Sequence, residues 1–85
     1  METRVAVISI IIENPESVGE MNELLHQYSK YVIGRMGIPY RKKNINIISI
    51  VLDAPQDFTA GLAGKVGSLT DVTVKTAYSS VQADS

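Results

Sequence analysis

Residues 4–13, RVAVISIIIE, are apolar at almost every position. Side chains alternate along a strand, so Val5, Val7, Ser9 and Ile11 would share one face and Ala6, Ile8, Ile10 and Ile12 the other. Both sets are apolar, which predicts a central strand covered front and back. The period then changes. Val18, Met21, Leu24, Leu25 and Tyr28 recur at helical spacing, with Glu20, Glu23 and Gln27 opposite. That predicts an amphipathic helix stopping near residues 29–31. Asn14-Pro15-Glu16 is its expected start: Asn14 as cap, Pro15 at the first helical position, Glu16 near the positive helix end.

Residues 32–40 read as a second strand interrupted by Gly34 and Gly37. Glycine inside a strand points to a bulge, a bend or a close approach, and Pro39 points to a sheet edge because it cannot donate to a central ladder. Arg41-Lys42-Lys43-Asn44 is the expected hairpin turn. Residues 45–52 form a third strand, apolar on both faces apart from Asn46 and Ser49. Asp53-Ala54-Pro55 is expected to open a second helix, with Phe58, Leu62 and Val66 on its buried stripe. Gly61 and Gly64 weaken that helix, and close packing of helix on sheet is the expected reason for them. Gly67 is a plausible stop. In residues 70–78, Val72, Val74, Thr76 and Tyr78 alternate with Asp71, Thr73, Lys75 and Ala77, which predicts an edge strand with one buried face. Residues 80–85 read as a frayed tail.

The order is β-α-β-β-α-β, a split βαβ pattern. Right-handed crossovers place both helices on one face of a four-stranded antiparallel sheet, with strands one and three central and two and four at the edges. The helices cover only one side. The other side would carry Val, Ile and Leu side chains over a larger area than soluble monomers usually expose. A second copy of the chain is the expected cover, as a homodimer or a dimer of dimers.

Composition narrows the function classes. The 85 residues suit one domain, 1–85, with a modest core. The net charge of −1 leaves little surplus for the phosphate contacts of nonspecific nucleic-acid binding. There is no cysteine, hence no disulfide and no thiolate metal site. The N-terminal apolar run is far short of a membrane span, and residues 1–4 have the mixed charge that a secretory leader lacks. A cytoplasmic protein without membrane contact is expected.

Catalytic chemistry is hard to find. His26 is the one histidine, off the apolar stripe of its helix, and reads as a solvated residue. One imidazole without thiolates offers little to a metal, and the serines have no base in sequence context. The run from Gly61 to Gly67 fits neither a phosphate loop nor a dinucleotide fingerprint. Arg41-Lys42-Lys43 lacks interleaved aromatics and reads as a solvated turn. The better candidate is the loop from the first strand to the first helix, Glu13, Asn14, Pro15, Glu16, Ser17 and Val18. Backbone N–H groups at a helix start can hold a polar ligand, although Glu13 and Glu16 already bring negative charge.

Two stretches carry a resemblance: Gly34-Arg-Met-Gly-Ile-Pro-Tyr-Arg41 running on into Asn44–Asp53, and Leu62-Ala-Gly-Lys-Val-Gly-Ser-Leu-Thr-Asp-Val-Thr-Val-Lys-Thr-Ala77. Together they resemble the small iron-only hydrogenase system regulators. Those are related to the C-terminal regulatory domain of nickel-responsive repressors and, more distantly, to ACT domains. The resemblance implies a ferredoxin-like, ACT-like α+β fold, oligomers built through sheets, a regulatory role without catalysis or cofactor, and a small effector or protein partner. In ACT domains the effector often sits where the first strand meets the first helix, which corresponds here to residues 13–18. The ACT pattern commonly has a glycine early in that loop, and here none precedes Gly19. The nickel repressors use histidines and a cysteine around the second strand. Residues 32–40 hold neither, so no metal site is implied. No ribbon-helix-helix segment precedes the domain, so direct DNA binding is not implied. An adaptor without a small ligand is the alternative. An acylphosphatase-like hydrolase would need an arginine-bearing anion loop after the first strand, where Glu13-Asn14-Pro15-Glu16 has the wrong charge.

Overall fold

In a computed structural model describing residues 2–81, the chain runs β1 (Arg4–Ile12), α1 (Ser17–Gln27), a 3-10 turn, β2 (Val32–Tyr40), a second 3-10 turn, β3 (Ile45–Ala54), α2 (Gln56–Gly67) and β4 (Val72–Tyr78). All pairings are antiparallel and the strand order is β2-β3-β1-β4. The two-sided apolar strands β1 and β3 therefore hold the centre. The proline-bearing β2 and the alternating β4 form the edges, as the pattern predicts. The expected tail falls, from residue 82 on, outside the described residues.

Alternation decides which residues make the core. Ala6, Ile8, Ile10 and Ile12 of β1 and Ile48, Ile50, Leu52 and Ala54 of β3 are buried, in one cluster with Met21 and Leu25 of α1 and Leu62 and Val66 of α2. Both helices thus lie on the same side of the sheet. Around their ends Phe58 packs between two tyrosines, with ring centroids 5.1 Å from Tyr28 and 4.7 Å from Tyr31, tilted and edge-on geometries favoured by aromatic pairs.

Three details depart from expectation. First, α1 begins at Ser17. Asn14 is not its cap: that position falls to Glu16, without a side-chain cap bond, while Asn14 Oδ1 accepts the Glu16 N–H at 3.0 Å ahead of the helix, and Pro15 and Glu16 lie in a tight turn closed by Ser17 N–H to the Asn14 carbonyl and Val18 N–H to the Pro15 carbonyl. Second, β3 continues through Asp53 and Ala54, because Arg4 and Val5 of β1 offer them ladder partners; the cap position of α2 falls to Pro55. Third, helix–sheet contact does not account for the glycines of α2. A Cβ at Gly61 or Gly64 would meet nothing within 4 Å, and only at Gly67 would it touch a neighbour, Val74, at 3.9 Å.

The glycine signal in β2 does mark a bulge. Val32 pairs with Leu52 and Gly34 with Val51, so Ile33 is an extra residue without a partner, and it is 66% exposed. Directly paired residues share a face. The bulge therefore turns both Val32 and Arg35, opposite Leu52 and Ile50, toward the helices.

Candidate functional site

The loop singled out by sequence is fastened to the start of β4. Glu13 N–H donates to the Asp71 carbonyl at 2.9 Å, and the buried Ser17 hydroxyl donates to the Thr70 carbonyl at 2.8 Å. Asp71 turns the chain there with φ 57°, a left-handed conformation that Asp tolerates better than most residues. The N–H groups of Glu13, Glu16, Ser17 and Val18 are all engaged within the protein. What the loop offers a ligand is the side chains of Glu13 and Glu16, both exposed, and the half-buried Asn14. Among the described residues no group of His, Cys, Asp and Glu is arranged to hold a metal.

The largest feature is the side of the sheet away from the helices. Pairing places Val5, Val7 and Ile11 of β1, Ile45, Ile47 and Val51 of β3, and Met36, Ile38 and Tyr40 of β2 on it. Ile11 is 41%, Ile47 37% and Met36 59% exposed, although β1 and β3 are the central strands. Ser9, Ser49 and Lys75 interrupt this apolar surface in a single transverse row. Asp53 lies toward one end, with one carboxylate oxygen buried and without a hydrogen-bond partner among the described residues.

On the helix side two concavities border α1. A shallow groove of about 540 Å³ runs between α1 and α2, with Leu24 and Leu69 as its apolar part and Glu20, Glu23 and Lys65 at its rim. A cleft of about 310 Å³ opens between α1 and β2. Leu25, Val32 and Ile50 give it an apolar floor, and Asn22, His26, Ser29 and Arg35 line its mouth. Arg35 Nη2 donates to Asn22 Oδ1 at 3.4 Å. Sequence reading missed this second cluster. His26, read as a plain solvated residue, is indeed exposed but stands at the cleft's rim. The signal that could have found the cluster is Gly34, whose implied bulge reverses the side to which Arg35 points. The basic turn 41–43 is exposed, and its three cations have no ion pair among the described residues.

Comparison with known proteins follows the same lines. The uncharacterized protein TM1266 from Thermotoga maritima has the same architecture, with TM-score 0.86 and 34% identity over 89% of this chain and 96% of that one. More distant likenesses show the fold alone. A formyltetrahydrofolate deformylase from Pseudomonas putida gives TM-score 0.62 and 14% identity over 86% of this chain but 28% of its own. The apo form of CPII, a nitrogen regulatory PII-like protein from Thiomonas intermedia, gives TM-score 0.54 and 15% identity over 99% of this chain and 98% of its own. No curated protein matches. Among the described residues no helix is long and apolar enough to cross a membrane. Residues 4–76 match the TM1266-like family, described as "Iron-only hydrogenase system regulator, putative". With the ferredoxin-like sheet, the family match and the Thermotoga relative in agreement, the chain belongs to this TM1266-like family of iron-only hydrogenase system regulators.

Proposed function

We propose that the protein is a non-catalytic regulatory domain that works as a homo-oligomer, two copies meeting through the helix-free face of the sheet. A dimer of dimers is the next closed assembly. One observation carries this reading: Ile11 and Ile47, on the two central strands, stay more than a third exposed on a largely apolar surface that only the row of Ser9, Ser49 and Lys75 interrupts. Monomeric proteins seldom leave such a surface to water, and each Å² of it removed is worth roughly 25 cal/mol. The two helices are already committed to the opposite side. A second copy supplies a surface of the same kind, and face-to-face sheets pack about 10 Å apart with interdigitating side chains.

A small effector at residues 13–18 forms the second part of this reading, motivated by the likeness to ACT domains. With the loop amides engaged, such an effector would meet the carboxylates of Glu13 and Glu16 and the amide of Asn14, and so would present hydrogen-bond donors. Sedimentation velocity at low micromolar concentration tests the assembly. Species at twice or four times the 9.3 kDa chain mass are expected, and a single species at 9.3 kDa retires it. A thermal-shift screen against amines, nucleotides and metals tests the effector. A ligand at a hundredfold excess over its Kd should add about 2.7 kcal/mol, and silence across the screen favours a plain adaptor.

A further inference from the structure

The structure assigns a second, separate site: we infer that the cleft between α1 and β2 binds a small monocarboxylate with a branched or aromatic apolar body and no ammonium group. The inference names a chemical class for an effector of this regulator. It stands apart from self-association, because the cleft is on the helix side of the sheet.

The placement of Arg35 is the first reason. In a regular β2, Val32 and Arg35 would point to opposite faces, since side chains alternate. The extra residue Ile33 breaks the alternation and turns both toward α1, so Arg35, itself exposed, projects beside the buried Ile50 on the side of the sheet that otherwise makes the core. Bulges recur where a side chain has to be re-aimed beside a functional site. The second reason is charge. Arg35 has no ion pair among the described residues, and its one bond, to Asn22 at 3.4 Å, is long. Most of its five donors are unspent, in the forked geometry that matches a carboxylate. The third is the rest of the lining. Asn22, His26 and Ser29 add polar groups at the mouth, while Leu25, Val32 and Ile50 form an apolar floor. A few convergent polar groups over apolar walls, in about 310 Å³, match the lower end of the size range of ligand pockets. Among the described residues no carboxylate lines the cleft, so an amino acid's ammonium would find no counter-charge from them. That favours an oxo acid or simple acid over the corresponding amino acid.

The competing account is that Arg35 is an inward-pointing charge that merely blunts an edge strand. Titrating the full-length ¹⁵N-labelled chain with 4-methyl-2-oxopentanoate and with leucine, which differ at one carbon, separates the two. Saturable shifts centred on Asn22, His26, Ser29 and Arg35 are expected for the oxo acid, with leucine at least tenfold weaker. Arg35→Gln should weaken the oxo acid at least tenfold while its spectrum stays dispersed. Ser29→Leu, which fills the mouth without touching the charge, should do the same. The inference is overturned by the absence of saturable shifts, by shifts centred on residues 13–18 instead, by leucine binding as well as the oxo acid, or by variants that bind like the parent. Sedimentation of the same samples reports on assembly independently, so a failure of one reading is not mistaken for a failure of the other.

Discussion

Gly61 and Gly64 are exposed, stand inside a regular helix, and have open space where a Cβ would be. No backbone constraint requires them, since no glycine in the described chain has positive φ. Replacing either with alanine removes unfolded-state freedom without a clash, so Gly61→Ala and Gly64→Ala should each stabilise by about 0.5–1 kcal/mol. In a domain of this size that raises the thermal midpoint by about 2–8 °C. A fall in midpoint would show that something presses on these positions. Thr59 poses the opposite case. It is fully buried in α2, and among the described residues its hydroxyl has no hydrogen-bond partner. A buried, unpaired polar group costs about 1–3 kcal/mol, so the near-isosteric Thr59→Val should leave stability equal or raise it by about 1 kcal/mol in urea unfolding. A clear loss would reveal a partner for the hydroxyl, such as a bound water.

At the scale of the element, β1 and β2 differ in what a substitution can cost. Ile8 is fully buried between the sheet and both helices, and truncating it leaves a cavity as well as lost burial. Ile8→Ala should cost about 2–5 kcal/mol, a large share of the 5–15 kcal/mol that holds a small domain together. Ile33 is just as apolar, yet it is pushed outward by the bulge in β2. Ile33→Thr should change stability by less than about 0.5 kcal/mol. Urea unfolding of the two variants side by side checks both values. Similar costs would mean that Ile33 is covered in solution.

For the whole molecule the deciding quantity is the fate of the helix-free face. Ile11 and Ile47 are directly paired across the two central strands β1 and β3. Putting carboxylates there should place like charges against an incoming copy and block association. Since both side chains are already partly in water, the fold should survive. Ile11→Glu with Ile47→Glu is therefore expected to sediment as a 9.3 kDa monomer with an unchanged far-ultraviolet circular dichroism spectrum. If the double variant still assembles, another surface joins the copies.

Hydrophobic period, together with Pro39 and the handedness of the crossovers, determined the order of elements, the central rank of β1 and β3, the edge rank of β2 and β4, and the apolar surplus on the face without helices. These follow from local alternation and from the two-sidedness of Val5–Ile12 and Ile45–Leu52, which any sheet must respect. Helix starts were off by one to three residues because they depend on which partner a backbone amide finds. Asn14 and Pro15 close a turn before α1, and β1 holds Asp53 and Ala54 in the ladder past their expected place. The candidate loop was legible as a strand–helix junction, but not the bonds from the Glu13 amide to Asp71 and from the Ser17 hydroxyl to Thr70, more than fifty residues away, that fasten it to the start of β4. The cleft was not legible at all. Only the tertiary structure decides it, because one unpaired residue in β2 reverses the side to which Arg35 points, and what it then faces is set by how α1 packs over a strand far along the chain.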